Sequence, residues 1–148
     1  MGKRLIIKNA NFAENAIGEV TIPKLTDLLT PLVVGAAWYV KRSSTHPREV
    51  PVRTTDNMAR ASTTDIINIS EWAPYIGTVN LTPKEGYKIA VYFGNKGTDD
   101  NLFTWGYTNS GETLTVNLST VSYALVMVAS NDNSQLTSTD WDTYVTET

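Results

Sequence analysis

The chain has 148 residues, a formal net charge of -3, 41% hydrophobic residues and 18% charged residues. That composition suits one globular domain and not a disordered chain. The acidic balance argues against a broad electrostatic grip on nucleic acid, and the lack of cysteine excludes disulfides and thiolate metal sites.

The chain opens on a strand-like run, Arg4-Leu5-Ile6-Ile7-Lys8. The apolar part ends at Lys8, too short for the core of a secretion signal, and no stretch approaches the length of a membrane span. Val20 and Ile22 alternate with polar neighbours, which predicts a half-buried strand closed by Pro23. Leu25, Leu28, Leu29 and Leu32 then fall at i, i+3, i+4 and i+7, one helical stripe. Thr26 and Asp27 are candidate caps. Pro31 sits inside the pattern and limits the expected helix to about two turns. Such a stripe packs either on its own sheet or, in a fibre, along an oligomer axis. These four leucines are therefore the candidate oligomer interface.

Val33 to Val40 reads as a buried strand, and Lys41 to Asn57 as a long polar loop with an extended piece at Val50 to Arg53. Ile66 to Ile69 and Ile76 to Leu81 are the next expected strands, separated by a turn that carries Trp72 and Tyr75. Tyr87 to Phe93 and Leu102 to Tyr107 read as a hairpin. Thr113 to Leu118 alternates cleanly, and Tyr123 to Ala129 is apolar enough to be a central strand. In the polar tail, Trp141 and Tyr144 are expected to pin the chain end to the body. Strands at about ten-residue spacing with Gly and Asn turns predict an all-β antiparallel sandwich or jelly roll, preceded by a short N-terminal segment containing one short helix. The boundary is drawn with residues 1–35 as an anchoring and oligomerisation segment and 36–148 as the sandwich.

Candidate chemistry is sparse. His46 is the single histidine and lies in a polar loop; neither a triad nor a histidine-rich metal site can be assembled around it without distant partners. The acids Glu14, Glu19, Asp65, Glu85 and Glu112 are scattered, and no pair is selected as a glycosidase couple. No phosphate loop or nucleophile elbow is present. Asp99-Asp100-Asn101 and Asn131 to Ser134 carry hard oxygen ligands, but in the pattern of ordinary turns rather than of a calcium loop. The expectation is a protein with no catalytic, cofactor or metal site. The best binding candidates are aromatic: Trp72 and Tyr75 in one loop, and Trp105 and Tyr107 two apart on one strand. Both pairs have the flat faces that stack on sugar rings, and both have core or rim packing as the alternative.

The order Arg60 to Ile69, Gly77 to Thr82, Gly86 to Phe93, the Trp105 hairpin, Tyr123 to Val128 and Leu136 to Trp141 resembles a β-sandwich domain of bacteriophage fibre and baseplate proteins. The same domain type also occurs in appendages of glycan-acting bacterial proteins. Lys3 to Phe12 looks like openings seen in such proteins from phages of gut Bacteroidetes. Leu125 stands where the family's common form has an arginine, so no role of that arginine transfers. The resemblance implies a non-enzymatic virion protein, a head or tail fibre or a decoration protein assembled in the host cytoplasm. It implies a homo-oligomer, with three-fold symmetry the expectation for a fibre, in contact with other virion proteins and with cell-surface glycan, but not with nucleic acid or membrane. The alternative it allows is a carbohydrate-binding module of a gut bacterium.

Overall fold

The computed structural model describes residues 4–8, 17–39, 52–54, 57–63, 65–95 and 102–148; for 4–8, 17–20, 38–39, 52–54 and 102–107 it describes the backbone alone. The protein is an all-β sandwich with short helical segments.

Strands β1 (Arg4–Lys8) and β2 (Ile17–Thr21) form an antiparallel hairpin, with Ile6 opposite Glu19. Helix α1 is a single turn, Leu25–Leu28, with Leu29 as its C-cap. It is shorter than the leucine spacing predicts. The helix ends at Leu28, three residues before Pro31, which has no N–H with which to continue it. The run from Val33 to Val40 is not one strand. Gly35 adopts φ 88°, a left-handed conformation that breaks the run into β3 (Val33–Val34) and β4 (Ala37–Tyr39). The two pieces take different partners: β4 pairs with β5 (Val52–Thr54), and β3 with β6 (Arg60–Ser62).

The larger sheet runs in the order β10, β9, β12, β6, β3, with β7 (Ile67–Asn68) also on β12. Here β9 is Tyr87–Gly94, β10 is Leu102–Thr108 and β12 is Tyr123–Ser130. The predicted hairpin and the predicted central strand are both present. The smaller sheet places β8 (Thr78–Pro83) between β11 (Leu114–Asn117) and β13 (Val145–Glu147). Ile76, read as the start of a strand, instead closes the one-turn helix α2 (Ala73–Ile76).

One face of the larger sheet meets the smaller one. Ile89, Val91 and Phe93 of β9, Ala124, Val126 and Val128 of β12 and Ala61 of β6 share a core with Val79, Leu81, Val116 and Val145. Each buried Val or Leu contributes about 1.5–3 kcal/mol. The opposite face is closed as well: Ala90, Tyr92, Leu125 and Met127 are buried, and Ala37 of β4 packs on Ala90 and Met127. Burial on both faces is why β9 and β12 read as continuous apolar runs rather than alternating ones. Leu125 of β12 is fully buried.

The leucine stripe is consumed inside the chain. Leu25, Leu29 and Leu32 are 0%, 1% and 1% exposed in the core shared with both sheets, and Leu28 packs against that core half-buried. Of the candidate interface residues Leu25, Leu28, Leu29 and Leu32, three, Leu25, Leu29 and Leu32, are thus covered by the sandwich itself and offer no surface to a partner, while Leu28 keeps part of its side chain open. The packing is continuous across residue 35, since Ile22, Leu25, Leu29 and Leu32 lie in the sandwich core and β3 hydrogen-bonds to β6.

Candidate binding site

The segment from Asn68 to Gly77 holds two aromatics on a short, well-anchored turn. The Asn68 side-chain oxygen accepts from the Ser70 backbone N–H at 2.9 Å and from the Ser70 hydroxyl at 2.6 Å, an Asx turn. Trp72 and Ala73 N–H groups then donate to the Ile69 carbonyl at 3.1 and 2.9 Å, and the one-turn helix follows with Pro74 in its first turn. Proline is tolerated there because the first N–H groups of a helix have no partner within it. Gly77, at φ 70°, ends the helix. Ile69, Ala73 and Ile76 are buried and fasten the turn to the core. Backbone bonds from the Ile69 N–H to the Ser122 carbonyl (2.8 Å) and from the Leu118 N–H to the Gly77 carbonyl (2.9 Å) lock it at both ends.

On this base Trp72 and Tyr75 meet edge to face, with ring centroids 6.3 Å apart and planes at 63°. Trp72 is half-buried and packs on the core. Tyr75 is 51% exposed, and among the described residues only Tyr75 and Met58 are large apolar side chains left open to solvent. The structure thus brings together the first predicted aromatic pair. For the second pair it describes backbone register only: Trp105 stands opposite Tyr92 and Tyr107 opposite Ala90, on the β10–β9 ladder. The side chains of Trp105 and Tyr107 lie outside the described residues, as do His46 and the turn Asp99 to Asn101.

The second acidic turn uses its own polar groups. The Ser134 N–H donates to the Asp132 carboxylate at 3.0 Å, and the Ser134 side chain and backbone together hold that carboxyl below its usual range. Asn133 takes φ 60°, and the Asn131 amide donates to the Ser110 hydroxyl at 3.1 Å. Among the described residues no cluster of three or more His, Cys, Asp or Glu side chains is placed to hold a metal ion.

A recess that the sequence pattern does not announce lies on the larger sheet, lined by Arg60, Lys88, Ile89, Ala90, Met127 and Ala129. Two cations, Arg60 and Lys88, lie on strands that register with the same residue, Ala129, of a third. No family model, no curated protein and no solved structure matches the chain.

Proposed function

We propose that this chain is a non-enzymatic structural β-sandwich of a virion, a head or tail fibre or decoration protein, that assembles as a homo-oligomer and touches cell-surface glycan through Trp72 and Tyr75. The observation that carries the binding half is the exposed Tyr75 ring set against Trp72 on a turn fastened at both ends. An aromatic ring held rigidly and half open to solvent loses little conformational freedom when a sugar ring stacks on it. The virion half rests on the resemblance of residues 57–141 and of the opening Lys3 to Phe12 to phage fibre domains. Trimeric assembly is part of the same reading, through a surface other than the leucine stripe.

A glycan array with the intact chain, Trp72→Ala and Tyr75→Ala tests the binding half. The expected outcome is a defined set of bound glycans, with affinity reduced roughly tenfold or more in Tyr75→Ala, since about 1.4 kcal/mol of lost stacking is a factor of ten. An array on which the intact chain binds nothing rejects it. Sedimentation tests the assembly half: a trimer supports the fibre reading. A monomer at micromolar concentration that still binds glycan favours the alternative, a carbohydrate-binding module of a gut bacterium.

A further inference from the structure

The recess on the larger sheet has a simple structural origin. Ala129 of β12 is the register partner of Arg60 on one side and of Lys88 on the other, so the three residues form one row across three strands. In the next row Met127 stands between Ser62 and Ala90. Residues paired in this way share a face of the sheet. Two long cations therefore flank a methyl group, and the gap above Ala129 is what remains when a small residue sits between two large ones. The recess holds about 210 Å³, less than the roughly 300–1,000 Å³ of a pocket for a drug-sized ligand. It suits a single head group.

The charges in it are uncommitted. Among the described residues neither the Arg60 guanidinium nor the Lys88 ammonium has a hydrogen bond or an ion pair through its side chain, whereas Lys84 spends its ammonium on the Asp142 carbonyl at 2.8 Å. Arg60 is half-buried as a residue, and Lys88 is exposed at the rim. A guanidinium favours planar, bidentate acceptors, and a second cation across the row adds to the preference for negative charge. The floor of Ala90, Met127 and Ala129 offers no charged group to a ligand's body.

We propose that this recess binds a small organic carboxylate about the size of one sugar acid, its carboxylate held between Arg60 and Lys88 and its body resting over Ala129. The site is separate from the aromatic turn. Asn68, which begins that turn, pairs with Tyr123 at one end of β12, and Ala129 lies towards the other. The two sites can therefore fail independently.

Titration of the full chain with sodium glucuronate, followed by amide NMR, tests the proposal, with glucose as the neutral control and sodium sulfate as the bare anion. The expected result is millimolar binding with shifts centred on Arg60, Lys88, Ala90, Met127 and Ala129, weaker at high salt. Lys88→Glu, at an exposed position that leaves folding intact, weakens binding roughly tenfold or more by placing a repelling charge at the rim. Arg60→Gln removes the fork and does the same. Dispersed or absent shifts, an equal response to glucose, equal affinity for sulfate, or glucuronate binding unchanged in Lys88→Glu each overturns it.

Discussion

Two aromatic residues near the chain end do more than close it. Trp141 is completely buried, and its backbone N–H donates to the Thr30 hydroxyl at 3.4 Å, while its indole N–H has no partner among the described residues. The ring's packing area therefore outweighs an unsatisfied donor. Trp141→Ala is expected to cost about 3–5 kcal/mol in urea unfolding, the range for removal of a large core aromatic. Tyr144 is 1% exposed, stacks edge to face on Tyr87 at 4.9 Å and donates its hydroxyl to the Ser138 carbonyl at 2.7 Å. Burial raises its phenol above the ordinary value of 10.0. The unfolded chain thus releases this proton first as pH rises. The stability linked to Tyr144 is complete below about pH 10 and is lost as pH climbs through the folded value. Tyr144→Phe is expected to flatten that alkaline loss, at a cost of about 1 kcal/mol near neutrality for the hydrogen bond. Urea midpoints measured across the alkaline range check both effects, and an unchanged alkaline slope in Tyr144→Phe rejects the assignment.

At the scale of elements, α1 shows how a short helix is held from far away in sequence. Its Thr26 side chain, a candidate cap, is buried, and its hydroxyl has no partner among the described residues. Asp27 accepts the Lys24 backbone N–H at 3.0 Å. The Leu25 and Thr26 N–H groups, which have no partner within the helix, instead donate to the Glu147 carboxylate at 3.0 and 2.8 Å. Glu147 belongs to β13, so one carboxylate joins the first helix to the last strand. Removing an acceptor that is ionised and shared by two donors costs about 1.5–3 kcal/mol. Glu147→Ala is expected to lose that much in chemical denaturation, and Glu147→Gln, which keeps an acceptor without the charge, less. Equal losses in the two variants would mean that the charge contributes nothing. The leucines that this clamp holds in place belong to the common core, so Leu29→Ala is expected to cost about 2–5 kcal/mol.

At the scale of the molecule, that shared core makes the N-terminal leucines and the sandwich one cooperative unit. In hydrogen exchange on Leu29→Ala, protection of the α1 amides and of the β12 amides is expected to fall together. Loss confined to α1 would mean that the segment is only an appendage. The larger sheet is also buried on both faces along β9 and β12, which places the open recess where a cationic row interrupts an otherwise closed surface.

Much of this architecture was legible in the sequence because it follows from local rules. Period-two alternation marked β2 and β11, continuous apolar runs marked β9 and β12, and turn residues separated them. The Trp72–Tyr75 pair was legible too, because residues three apart on a tight turn meet whatever surrounds them. What local pattern left open was which face meets what. A helical stripe looks the same whether it covers its own sheet or a partner, and only the packed chain assigned Leu25, Leu29 and Leu32 to the interior. The break at Gly35, the Glu147 clamp and the row Arg60–Ala129–Lys88 depend on residues far apart in sequence. The sequence by itself determined an all-β sandwich with an aromatic turn. Tertiary structure alone decided what the leucines cover and where two cations converge, because strand register, not spacing along the chain, sets those distances.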